Sequence, residues 1–93
     1  MLVNNPADKI ITLLEKLILY KNTKEEINNI ILKLKDEVYK VRFVEPKDDK
    51  FYSFKVKKRI GILSKNFQAN QSEENSKAII DFLIELREID TES

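Results

Sequence analysis

The chain has no cysteine and no histidine. Without cysteine there is no disulfide framework, zinc finger or thiol nucleophile, and without histidine no Ser-His-Asp triad or histidine-ligated metal centre. Most familiar catalytic chemistry is excluded by these two absences. Glycine occurs once, as Gly61, and Lys57-Lys58-Arg59-Ile60-Gly61 lacks any phosphate-loop pattern. No apolar run approaches the roughly 18 residues needed to span a bilayer, so no membrane partner is expected. Met1-Leu2-Val3 passes into Asn4-Asn5-Pro6 without a basic stretch, so the expectation is a cytoplasmic protein with no export signal. A large charge of one sign is also missing: 17 Lys and Arg against 16 Asp and Glu leave +1.

What is present is aliphatic. Isoleucine, leucine and valine supply a core of three or four elements without a staple, so the 93 residues read as one domain over 1–93, with 1–4 and 90–93 fraying. Asn5 before Pro6, with Asp8 behind, reads as a helix start, and the helix continues to about Tyr20. Ile10, Leu13, Leu14, Leu17 and Ile18 form its apolar stripe. Lys21-Asn22 is a turn. Thr23-Lys24-Glu25-Glu26 then matches a capping box and opens a second helix with Ile27, Ile30, Ile31 and Leu34 on one face. The short turn makes the two helices an antiparallel hairpin.

From Val38 the period is ambiguous. Tyr39, Val41 and Phe43 alternate with Lys40 and Arg42, and Tyr52, Phe54 and Val56 alternate with Ser53, Lys55 and Lys57. Two such runs around Pro46-Lys47-Asp48-Asp49 read as a β-hairpin with an aromatic inner face. Against it, Tyr52, Val56, Ile60, Leu63 and Phe67 form a helical seam, which keeps an all-α four-helix bundle as the alternative. The hairpin is preferred because a helix would carry Gly61 in its interior at about 1 kcal/mol. Ser64 to Ser76 is polar and amide-rich and reads as a connection anchored by Phe67. Ser72 caps a last helix, with Ile79, Phe82, Leu83, Leu86 and Ile89 as its core stripe. The expected fold is α+β: helical hairpin, β-hairpin with room for a short third strand, and C-terminal helix.

The near-zero charge is a cancellation. Residues 40–59 hold Lys40, Arg42, Lys47, Lys50, Lys55, Lys57, Lys58 and Arg59 against Glu45, Asp48 and Asp49, whereas residues 71–93 hold seven acids against Lys77 and Arg87. On the hairpin, Lys40, Arg42, Lys55 and Lys57 would share an outward face, extended by Lys58 and Arg59. Such a ribbon suits phosphates or an acidic partner, although lysine on an open sheet face is also an ordinary guard against aggregation. The aromatics point to the apolar face and so form no stacking platform. Leu19 and Leu32 lie off their helices' stripes and, with Ile80 and Ile84, make a candidate apolar flank for a partner. Asp48-Asp49 between Lys47 and Lys50 reads as a solvated turn rather than a metal site. No cofactor or catalytic residue is expected. The leading expectation is a non-catalytic protein-interaction module, an adaptor, regulator or inhibitor that binds a larger protein or itself. The alternative is a nucleic-acid-binding protein using the basic ribbon.

Overall fold

The structure, a computed structural model, describes residues 6–44 and 50–91. In chain order it contains α1 (Asp8–Leu19), α2 (Lys24–Lys40), β1 (Phe43–Val44), α3 (Tyr52–Ala69), α4 (Glu73–Glu88) and β2 (Asp90–Thr91). Two helix starts are written locally. Thr23 Oγ1 accepts from the Glu26 N–H at 3.1 Å while Glu26 Oε1 accepts from the Thr23 N–H at 2.9 Å, closing the capping box. The bond from the Thr23 backbone holds the Glu26 carboxyl below its ordinary pKa. Ser72 Oγ accepts from the Asn75 N–H at 3.2 Å and opens α4. Helix α1 begins at Asp8, two residues after Pro6, with no side-chain cap; Asn5 lies outside the described residues. Its C-terminal end closes on Asn22, whose amide donates to the Lys16 and Tyr20 carbonyls at 2.9 and 3.0 Å.

Short connections make α1 antiparallel to α2, and α3 antiparallel to α4. Helix α1 packs on α2 and α4, and α3 packs on the same two neighbours, so the four helices close into a ring. Strand β1 follows α2, β2 follows α4, and the two pair antiparallel with Phe43 opposite Thr91 and Val44 opposite Asp90. That pairing puts the C-terminal ends of α2 and α4 at the same end of the ring. Inside it, Ile10, Leu14 and Leu17, Ile27 and Leu34, Ile60, and Ile79, Phe82 and Leu86 are all but inaccessible to solvent. Buried Val41 and Phe43 close the strand end, and the Phe43 N–H donates to Ser53 Oγ at 3.0 Å.

The architecture is thus mostly helical with a small antiparallel strand pair, and all four helices of the alternative reading are present. The β-hairpin between 39–43 and 52–56 is not formed. Tyr39 and Lys40 end α2, Tyr52 through Val56 begin α3, and β1 pairs with the chain's last described residues instead. The reason is one of magnitude. Helix α3 buries Val56, Ile60 and Phe67 and half-buries Tyr52 and Leu63, at about 1.5–3 kcal/mol for each fully buried large side chain. A helical Gly61 costs only about 1 kcal/mol, while an isolated two-stranded hairpin is marginal. Alternation survives only at 41–43, where Val41 and Phe43 are buried around exposed Arg42.

Residues 64–69, expected in a connection, also belong to α3. Ser64 is buried there because its hydroxyl donates back to the Ile60 and Gly61 carbonyls at 2.8 and 3.1 Å. Asp90 and Thr91, expected to fray, are held in β2. Residues 1–4 and the Pro46–Asp49 turn lie outside the described residues. No helix among the described residues is long and apolar enough to cross a membrane.

Candidate functional site

Helix α3 carries Lys55, Lys57, Lys58, Arg59 and Lys65 and no carboxylate. Helix α4, beside it, carries Glu73, Glu74, Asp81, Glu85 and Glu88 against Lys77 and Arg87. The opposed charges noted in the sequence therefore become neighbouring helices, yet only part of the charge is spent between them. Arg59 meets Glu85 at 2.8 Å and lies 4.7 Å over the Phe82 ring. This half-exposed pair fixes the seam geometry more than it adds stability.

On the other side of α3 the charge is uncompensated. A cavity of about 220 Å³ opens between α2 and α3, with Leu34, Val38, Ile60, Gly61 and Ser64 as its floor. Its rim is Lys35 and Tyr39 on α2, with Lys57 and Lys65 on α3, and no acid lines it. None of these lysines has an ion-pair partner among the described residues. The floor is open at Gly61, where a Cβ would meet nothing within 4 Å. Above it, Gln68 donates to Asn28 across the seam at 2.6 Å and closes that end. Helical spacing puts Leu32 on the Asn28-Lys35-Tyr39 stripe, and Phe54 and Lys58 on the Gly61-Lys65 stripe. Tyr39 is 86% exposed, and Phe54 and Leu32 are 63% exposed each. The groove is an apolar slot with a lysine rim and aromatic shoulders.

Its nearest rival is the groove between α1 and α2, about 720 Å³ in volume. There Asp8, Asp36 and Glu37 face Lys9, Lys33 and Lys40, so the charge cancels locally. Lys40 sits 3.1 Å from Asp36 and 3.8 Å from Glu37, and the hydrogen bond to Asp36 raises its pKa above the usual lysine value.

The basic residues singled out in the sequence therefore divide. No ribbon joins Lys40, Arg42, Lys55 and Lys57. Lys40 turns toward α1, Arg59 is committed to α4, and Arg42 and Lys55 are engaged as well. Lys57 and Lys58 stay on the α2–α3 side, joined by Lys35 and Lys65. Sequence reasoning missed those two because their meeting depends on the packing of α2 on α3. Tyr39 and Phe54 were expected in the core and are exposed; Phe43 is buried and Tyr52 half-buried.

The apolar flank divides too. Leu19, Leu32, Ile80 and Ile84 are all exposed, but Leu32 overlooks the α2–α3 groove while Ile80 and Ile84 lie on α4, across the ring. Glu15 on α1 meets Arg87 on α4 at 3.0 Å. Leu19, one turn beyond Glu15, and Ile84, one turn before Arg87, therefore share the α4–α1 side. Comparison with known proteins adds no constraint: no family model, no curated protein and no solved structure matches the chain. Among the described residues no group of three carboxylates is arranged to hold a metal ion.

Proposed function

We propose that the protein is a non-catalytic protein-interaction module that recognises an acidic segment bearing an apolar anchor through the α2–α3 groove. The observation that carries this reading is the pairing of an apolar floor with Lys35, Lys57 and Lys65 and no acid on the rim. A slot of about 220 Å³ is smaller than the roughly 300–1,000 Å³ of ordinary small-molecule sites. It takes one large side chain. The lysines then steer an acidic partner and fix its register, while the buried anchor supplies affinity.

A second reading, single-stranded nucleic acid, is supported by Tyr39 and Phe54 standing exposed among lysines, an arrangement on which bases stack. Four phosphates held by Lys35, Lys57, Lys58 and Lys65 imply a salt slope near −2.8, or roughly fiftyfold weaker binding between about 50 and 200 mM salt. Fluorescence anisotropy separates the two. The probes are a labelled glutamate-rich helical peptide with leucine at every fourth position, the same peptide with alanine for leucine, and a labelled uridine oligonucleotide. The proposal expects the leucine peptide to bind, the alanine peptide to bind at least tenfold more weakly, and Lys57→Glu with Lys65→Glu to abolish both. Tight oligonucleotide binding with no leucine dependence overturns it in favour of the second reading.

A further inference from the structure

The α4–α1 side carries the complement of the groove. Ile80 and Ile84 stand 44% and 59% exposed, one helical turn apart, with exposed Glu73, Asp81 and Glu88 around them. Of the two bases on α4, Arg87 is occupied by Glu15, and Lys77 stands exposed one turn before Ile80 and Asp81. An acidic helical ridge with exposed isoleucines offers the acidic segment and the apolar anchor that the groove was argued to select. The spacings agree as well. Lys57 and Lys65 are eight residues apart on α3, about 12 Å along its axis, and Asp81 and Glu88 are seven apart on α4, about 10.5 Å.

We infer that a second copy of this chain fills the groove, with the α4 ridge of one molecule seated between α2 and α3 of the next. The inference rests on the groove reading above and names its occupant. Groove and ridge lie on opposite sides of the four-helix ring, so the contact cannot satisfy both surfaces within a two-fold dimer. It is heterologous, and it propagates head to tail. Exposed lysines and carboxylates supply the register and the salt sensitivity, while Ile80 and Ile84 supply the buried area.

The test is the mass of the full chain by sedimentation and light scattering, from about 10 μM to about 1 mM protein, the range in which weak contacts associate. Wild type is expected to rise at least twofold above the 11.0 kDa protomer, and to fall back when salt is raised from about 50 to about 500 mM. A groove variant, Lys57→Glu with Lys65→Glu, and a ridge variant, Ile80→Gln with Ile84→Gln, are each expected to stay monomeric. All four positions are exposed or half-exposed, and circular dichroism checks that both variants are folded. Mixed together, the two variants retain one intact groove and one intact ridge, so they are expected to form a 1:1 pair and nothing larger.

A wild type that stays monomeric throughout overturns the inference, as does a groove variant that associates like wild type or a mixture that forms no pair. The leucine peptide, added to the same samples, tells two failures apart. A monomeric wild type that still binds it loses only the second copy as occupant. One that binds neither loses the groove reading too.

Discussion

The α2–α3 and α4–α1 sides of the ring are built from the same materials, exposed aliphatics among charged residues, and they present opposite shapes and opposite signs. The first is concave: its floor is open at Gly61, and Lys35, Lys57 and Lys65 stand at its edge without an acid. The second is a ridge, on which Ile80 and Ile84 project among carboxylates and Lys77, and a salt bridge from Arg87 to Glu15 ties the two helices together. The difference teaches that the placement of leftover charge, rather than total charge, sets the two sides apart. On α3, Arg59 is consumed by Glu85 and Phe82, whereas Lys57 and Lys65, with no ion-pair partner among the described residues, line the groove.

The shared core is where the comparison breaks most severely. Phe82 is buried and lies beneath Arg59, so Phe82→Ala is expected to cost about 3–5 kcal/mol and to loosen both sides together, read as a fall in urea midpoint. A loss under about 1 kcal/mol would mean that α4 is not packed as described.

The next effect separates the helices by how they begin. Thr23→Ala removes the capping box of α2 at about 1 kcal/mol. Because the folded state lowers the Glu26 pKa, the box's electrostatic contribution is present above the ordinary carboxylate range and is lost as pH falls through the lowered value. Thermal unfolding followed with pH should show a smaller acid-side decline in Glu26→Gln than in wild type. Equal declines would remove the pH role from this cap.

Gly61 sharpens the contrast from the groove side. Gly61→Ala meets no atom and is expected to stabilise by up to about 1 kcal/mol, whereas Gly61→Glu keeps the helix but places a carboxylate among the lysines. Leucine-peptide affinity should survive the first and drop at least tenfold in the second. Equal affinities would show that the groove is not used. The smallest effect expected is that of the paired Lys57→Glu and Lys65→Glu changes on stability, within about 0.5 kcal/mol. Unchanged melting beside lost peptide binding separates recognition from folding.

Much of the fold was legible from short-range chemistry. The Thr23 box, the Ser72 cap and the stripes of α1, α2 and α4 are signals confined to one or two helical turns, and each appears where those residues place it. Residues 52–56 were misread because both periods fit them, and 64–69 because they are polar and amide-rich. Tyr52, Phe54 and Val56 satisfy alternation over five residues, and only the burial of Val56, Ile60 and Phe67 in a core shared with α2, α4 and β1 favours the longer seam. The candidate site was legible in part. Lys57 and Lys58 stood out as members of a charge run, and Leu32 as an off-stripe leucine, but Lys35 and Lys65 had no local mark, and Tyr39 and Phe54 fitted the inner face of a hairpin.

The sequence by itself determined where α1, α2 and α4 begin to within two residues, most of what they bury and that the basic and acidic residues are segregated, because capping and helical periodicity act within a few residues. The tertiary structure decided that 52–69 is a helix and that β1 pairs with β2 rather than with the chain just after it. It also decided which lysines have no ion-pair partner among the described residues. Those outcomes depend on which helices become neighbours, and burying a common core between them sets that at a range no local pattern reaches.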